Sequence, residues 1–598
     1  MKNPFVLLFK KRAPAAEKPL RDELLSIERL EERAKALAAR FTVAPTARRR
    51  AGRSVFPRFD DNVRVLGVAY RALADDVHQG KFVTPAAEWF LDHFHLVTSE
   101  VLGIRQNLPR EYYRQLPRLA SREFAGFARV YAMALELIRH SDSRLDRSQL
   151  LRFLNSYQSV TPLTIGELWA WPSVLRLALI ENLRRLAEEI LESRSARKTA
   201  DAIVSEFEAA SVPPPLPASL DTACVVHLLQ HVREYGLRLS PIRAVVEEHL
   251  AAHQMTAEDA IRTEHQRQAT AQVSVANVVT SLRLCSTLNW RQYFETVSLV
   301  EHVLQRDPAG AYGAMDFLSR DHQRQVVEEL AAPTGEAQVR VALRAIESAQ
   351  QAAEVGSMTD RAAHVGYHLV GDGSRDLELD VGYRPGAWKR AKRFVLRHPT
   401  AVYLGSIALV AAALSGLELA YLRKQLGELR LMHIWIALLL LVPASEVAIM
   451  LIQRLVAALI PPRRLQRMEF LGAIPEHART MVIVPTLLTT VSETRDLLER
   501  LEVMAIGNLD PQIHFAILSD FADASAPELS EDQAVLDAAR TGVEELNVRL
   551  GNSAPGNSPA SVRIWKPLQM PSTGVPRSAR ALTSRMIGEW AAIAPQRR

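Results

Sequence analysis

Cysteine is nearly missing from this chain of 598 residues: Cys224 and Cys285 are the only two. They lie far apart, in neither a Cys-x-x-Cys pair nor zinc-ligand spacing, which excludes a disulfide framework and a cysteine metal centre. A reducing compartment is the default for the soluble part. An excess of one charge is also missing, since the formal net charge is only +6. The basic residues are scattered through helical patterns instead of being grouped with aromatics, so no nucleic-acid partner is expected. The N-terminal "FVLLF" is followed by Lys10, Lys11 and Arg12, the reverse of a secretory leader's charge order, and is too short to span a bilayer. Alternating β-rich runs are few over roughly the first 380 residues. What is present is 48% hydrophobic and 23% charged, a composition that can bury cores in several domains.

Helical periodicity fills that first region. Leu20, Leu24, Ile27, Leu30, Ala34, Leu37 and Phe41 fall in steps of three and four and predict one amphipathic helix over 20–41. The same spacing recurs over 63–77, 86–102, 129–138, 244–253 and 338–352. In "TIGELWAWPSVLRLALIENLRRLAEEIL", Thr164 and Glu167 have capping-box spacing, and Leu168, Leu175, Leu179, Leu183, Leu186 and Ile190 form the stripe to be buried. The prolines of 211–220 cannot propagate a helix and predict a linker. The expected order is a tail over 1–19, helical subdomains over 20–210 and 221–386, and that linker between them.

Two long apolar runs follow, 400–422 and 431–453, the second interrupted by Pro443 and Glu446. Each reaches the roughly 20 residues that cross a hydrocarbon core of about 30 Å, so a transmembrane hairpin is predicted. Lys389, Arg390, Lys392, Arg393 and Arg397 precede it and Arg454, Arg463, Arg464 and Arg467 follow, against Arg423, Lys424 and Arg430 between. The positive-inside rule then places both large regions in the cytoplasm. Glu446 should face protein or lie near an interface.

Several constellations look chemical and have plainer readings. His227 with His231, and His249 with His253, each put two imidazoles on one helix face, but Leu228 and Leu250 stand where a zincin carries its glutamate. A structural role is favoured over metal. Asp92, His93 and His95 read as a solvated face. The segment 371–386 has a phosphate-loop look but lacks the lysine, and reads as a turn towards the membrane. After the second span, "TMVIVPTLL", "SETRDLLERLEVMAIG" and "IHFAILSDFADA" read as strand, helix and strand. Asp520 and Asp523 then stand at a strand's carboxyl end, where open α/β sheets bind ligands, although aspartate also commonly ends strands in turns.

"VPTLLT" followed by "NLDPQIHFAILSDFADA", directly after two apolar spans, resembles the cyclic β-1,2-glucan synthase family. "RFVLRHPTAVYLGSIAL", "VGYHLVGDGSRDLELDVGYRPG", "NLPREYYRQLPRLA" and "SIERLEERAKALA" carry the resemblance back to about residue 20. It implies a mostly α chain, with a helical cytoplasmic N-terminal region and a multi-pass anchor in a bacterial inner membrane. The start of an α/β, GT-A-like glycosyltransferase domain would follow over 475–550. It further implies UDP-glucose as donor and a divalent cation, Mg or Mn. By resemblance Asp520 is the acid facing the uridine, with Thr486 and Asp523 as neighbours in the nucleotide site.

The family's later Asp-x-Asp, catalytic base and arginine-tryptophan acceptor motif have no counterpart here, so neither metal ligands nor a complete catalytic site are expected in this chain. Residues 551–598 hold six prolines, six arginines, one glutamate and no aspartate. They are expected to be an out-of-frame or degenerate tail of a truncated member, whose remainder would be a partner. The alternatives are a short variant with a disordered basic end and, for the chain as a whole, a non-catalytic membrane-anchored helical scaffold or regulator.

Overall fold

The computed structural model describes residues 17–44, 52–120, 124–210, 220–357, 360–426, 431–460, 465–470, 472–508, 510–521, 529–553 and 562–565. The chain forms two compact units, Met1–Gly313 with Phe317–Arg463, and Arg464–Arg598 with Ala314–Asp316.

The first unit is helical. Helix α1, Ile27–Arg40, is capped by Ser26 and buries Leu30, Ala34, Leu37 and Ala38. It begins seven residues later than the predicted 20–41 helix, and Leu24 is 65% exposed. Residues 20–25 instead satisfy their backbone against neighbouring helices: Leu20 N–H donates to Asn182 Oδ1 (2.6 Å), Asp22 N–H to the Arg139 carbonyl (3.1 Å) and Leu25 N–H to the His140 carbonyl (3.1 Å). Periodicity alone cannot show that the donors have partners elsewhere.

The unit is built around α5, Ile165–Ala210, with α2 (Phe56–His78), α3 (Arg129–Ser141) and α4 (Arg147–Gln158) before it. The capping box forms as expected: Glu167 N–H donates to Thr164 Oγ1 (3.2 Å) and Thr164 N–H to Glu167 Oε2 (2.9 Å). All six stripe residues from Leu168 to Ile190 are buried. Burial extends round the helix to Trp171, Val174, Leu177, Ala178 and Ile180, the signature of a helix central to its core. Pro172 lies inside α5, near enough to its start that only a first-turn carbonyl loses a donor. The buried Glu167 also meets Arg129 on α3 through two hydrogen bonds of 2.8 and 2.5 Å.

The 46 residues of α5 extend about 69 Å at 1.5 Å per residue, long enough to serve two cores. Its first half joins the large apolar cluster that runs from Leu20 to Tyr383. Its distal Ala200, Ile203, Val204 and Phe207 join a smaller cluster with α6 (Thr222–Tyr235), α7 (Ser240–Ala252) and Ala260 of α8 (Ala257–Thr287). The rest of α8, from Ala271 to Cys285, returns to the large cluster. Apolar residues therefore do not sort into separate cores on either side of 211–220; of that predicted linker, 211–219 lie outside the described residues. The predicted turn over 371–386 contains a short helix, Ser374–Asp380. It ends on Gly382 at φ +67°, where Tyr383 N–H reaches back to the Glu378 carbonyl at 2.7 Å, a left-handed cap for which glycine is suited.

Helix α9, Ala387–Arg397, carries five Lys or Arg residues and buries none of its side chains. It leads into α10 (Pro399–Leu426) and α11 (Leu431–Leu459). Both are long and apolar enough to cross a membrane, over Pro399–Tyr421 and Leu438–Leu459. They pack on each other, and the described residues they bury are Ala411 on α10 and Ala444, Ala448 and Ile452 on α11, mostly small side chains of the kind that let membrane helices approach closely. Glu446 is exposed off that seam.

In the second unit, β1 (Thr480–Leu488), β2 (Ile513–Phe521) and β3 (Val562–Trp565) form a parallel sheet in the order β1-β2-β3. Helix α12 (Val491–Ile506) crosses from β1 to β2, and α13 (Asp532–Ser553) lies between β2 and β3. The strand, helix and strand read after the second span are thus present. Within the stretch 551–598, Val562–Trp565 form β3: Phe515 pairs with Val562 and Leu518 with Trp565. Val-Arg-Ile-Trp does not alternate strictly between apolar and polar, the pattern by which so short a strand is read. The remainder of that stretch from residue 566, where the degenerate tail was expected, lies outside the described residues.

Candidate functional site at the sheet's carboxyl edge

The β1–α12–β2 unit fixes the site's geometry. Thr490 caps α12 by accepting from Glu493 N–H, and Leu498, Leu501 and Ala505 pack on Phe515 and Ile517 with Val543, Leu546 and Leu550 of α13. The register pairs Val482 with Phe515, Val484 with Ile517 and Thr486 with Ser519. Strand side chains alternate between faces, so this set belongs to the helix-covered face. The opposite set pairs Ile483 with Ala516, Pro485 with Leu518 and Leu487 with Asp520. That face is open among the described residues, with Ile483 51% and Leu487 60% exposed.

Asp520 therefore lies at the carboxyl end of the central strand, exposed and on the open face. Its Oδ1 accepts the N–H of Phe521 at 2.9 Å. Thr486, proposed as its neighbour, belongs by register to the helix-covered face, next to the buried Ser519. The structure separates the two across the sheet. Asp523 lies outside the described residues. A third aspartate, Asp510, is structural: its oxygens accept Gln512 N–H (2.8 Å) and Ile474 N–H (2.9 Å) and shape the turn into β2.

Pro485 can sit within β1 because β1 is an edge strand of the sheet as described, with Leu518 as its partner on one side. Leu487 and Ile483, which line the approach to Asp520, were not singled out from sequence. The continuous apolar run in "TMVIVPTLL" marks a strand without marking which of its faces is covered. Among the described residues the sole group of three or more His, Cys, Asp or Glu with metal-ligand proximity is Asp201, His227 and His231 in the other unit. The residues described here thus do not fit a cation-diphosphate site by themselves.

No protein-family model matches the chain. Over 506 residues it is 32% identical to the cyclic β-(1,2)-glucan synthase NdvB of Rhizobium meliloti, a match that takes in 82% of this chain. The matched region is 18% of that relative's length.

Proposed function

The chain belongs to the cyclic β-(1,2)-glucan synthase family, and we propose that its second unit supplies the nucleotide-facing edge of a GT-A-like domain that takes UDP-glucose as donor. The observation that carries this reading is Asp520, at the carboxyl end of the middle parallel strand and exposed on the open face. Open α/β sheets bind ligands outside such ends, beside the point where strand order reverses. A carboxylate there can accept from the imide N–H of uracil, or from ribose hydroxyls, without ligating metal. Exposed Leu487 and Ile483 offer apolar surface on the same face.

In this proposal the two apolar helices anchor the chain in a bacterial inner membrane as part of a multi-pass protein, with both flanking regions cytoplasmic. Helix α9 supports that side: its five cations precede the first span, and Trp388 and Phe394 are 79% and 63% exposed, a pairing suited to an anionic membrane surface. The divalent cation of the family, Mg or Mn, would be held by acids contributed from elsewhere in a full-length synthase. Transfer requires the leaving diphosphate to be neutralised and the acceptor hydroxyl to be deprotonated, so this chain alone is proposed to bind nucleotide without turnover.

Purified chain in detergent, titrated with UDP and UDP-glucose, tests the reading. Binding that Asp520→Ala weakens about 10-fold, the loss of one hydrogen bond to a charged group, and that Thr486→Ala leaves unchanged is expected. Glucan labelled from UDP-glucose in membranes holding this chain alone would refute the need for further residues. Absence of nucleotide binding would favour the scaffold reading.

A further inference from the structure

His227 and His231 are one turn apart on α6, and their spacing alone gives a pair without a third ligand. The fold adds one. Asp201, on the distal half of α5, brings its Oδ1 to 2.9 Å from His227 Nε2 and 3.0 Å from His231 Nε2. The ring centroids are 4.6 Å apart and the planes inclined at 75°, so the imidazoles converge on one carboxylate oxygen instead of stacking. We propose that Asp201, His227 and His231 form a divalent transition-metal site of the zinc class, with a fourth position open to solvent.

One carboxylate oxygen between two ring nitrogens can be filled in two ways. Either each Nε2 carries a proton and donates it, or the three lone pairs share one cation. His227 Nδ1 lies 3.3 Å from Gln230 Oε1; in the neutral tautomer that carries its proton on Nδ1, this oxygen accepts it and the Nε2 lone pair faces Asp201. In that tautomer the two acceptors at 2.9 Å repel unless a cation lies between them, and an outer-shell acceptor on the second ring nitrogen is the usual way a ligating histidine is oriented. His231 Nδ1 is buried with no hydrogen-bond partner, so no hydrogen bond there fixes the ring proton on either nitrogen.

The dimensions agree. Zinc bonds of about 2.0–2.1 Å in a tetrahedron place ligand atoms about 3.3 Å apart, a few tenths of an ångström beyond the 2.9 and 3.0 Å found. The three candidate atoms lie within 4.8 Å of one another. Two imidazoles with one carboxylate suit zinc better than magnesium or calcium, which prefer all-oxygen shells. Both histidine side chains are 21% and Asp201 55% exposed, so an ion can enter from solvent. His249 and His253 form an internal comparison, with ring centroids 4.5 Å apart. His253 Nδ1 there lies 2.9 Å from the His249 carbonyl oxygen, and no acid joins that pair among the described residues. A metal at the first pair would clamp α6 to α5 across the smaller apolar cluster.

The test uses the full chain in detergent, without an affinity tag and stripped by chelator, titrated with zinc and separately with cobalt. One equivalent of zinc per chain and the visible absorption of tetrahedral cobalt are expected. Asp201→Asn and His231→Ala should each weaken zinc binding by more than the roughly 10–100-fold typical of outer-shell changes. His249→Ala should leave it intact. The cobalt spectrum of the unsubstituted chain stands whether or not a variant folds. Failure of that chain to take up one equivalent, or uptake unchanged in Asp201→Asn, overturns the proposal and leaves a hydrogen-bonded triad.

Discussion

Glu181 allows a stability prediction with a worked magnitude. It lies on α5, its side chain 3% exposed. It accepts from Arg58 Nε and Nη2 (3.0 and 2.7 Å), Asn62 Nδ2 (2.6 Å) and Arg185 Nε and Nη2 (2.9 and 2.8 Å). Burial alone would raise its pKa; Arg58 first, then Asn62 and Arg185, override it and hold the carboxyl at about 2 against an ordinary 4.5. A tenfold change in proton affinity is worth about 1.4 kcal/mol, so the ionised network stabilises the fold by about 3 kcal/mol at neutral pH. The unfolded chain binds this proton more readily than the folded one. The contribution is therefore complete above about pH 4.5 and is lost as pH falls towards 2.

Glu181→Gln should cost about 3 kcal/mol at pH 7, and the gap from the parent chain should narrow to about 1.4 kcal/mol at pH 3. Other carboxylates titrate in both proteins and cancel in the difference. Urea unfolding in detergent, followed by tryptophan fluorescence at the two pH values, measures both gaps. A variant within 1 kcal/mol of the parent at pH 7 (roughly the worth of one ordinary hydrogen bond), or a gap that does not narrow on acidification, refutes the reasoning.

Three further outcomes are expected. Thr164→Ala should destabilise the helical unit by about 1 kcal/mol through loss of the α5 cap, and Thr164→Ser should restore most of it in the same unfolding assay. Trp171→Ala, at a side chain 1% exposed, should cost about 3–5 kcal/mol by leaving a cavity, measured by the shift in urea midpoint. Burial pushes the Cys285 thiol up to about 12 and Cys224 up to about 11, so neither should be alkylated at pH 8 in the folded chain. Both should react after denaturation, as read by mass spectrometry; labelling of either in the native state would contradict their burial.

Much of the architecture was legible because it repeats along the chain. The α5 cap and leucine stripe, the two apolar helices and the strand, helix and strand of the second unit each follow from spacing within a short window. The start of α1 was not, because Leu20, Asp22 and Leu25 donate their backbone protons to residues more than 100 positions away. Nor was β3, whose four residues become a strand through pairing with β2.

The candidate sites divide along the same line. Sequence alone determined that Asp520 ends an apolar strand after two long apolar helices, since hydrophobic run, turn and acid are adjacent. Tertiary structure decided which residues share its surface: a register of one pair per residue sets Leu487 beside Asp520 and moves Thr486 to the helix-covered face. It also decided the histidines. His227 with His231 and His249 with His253 have identical spacing, and among the described residues only the first pair is joined by an acid, because α5 is long enough to carry Asp201 past α6. Spacing reports what one helix presents, whereas a third ligand from another helix is a property of packing.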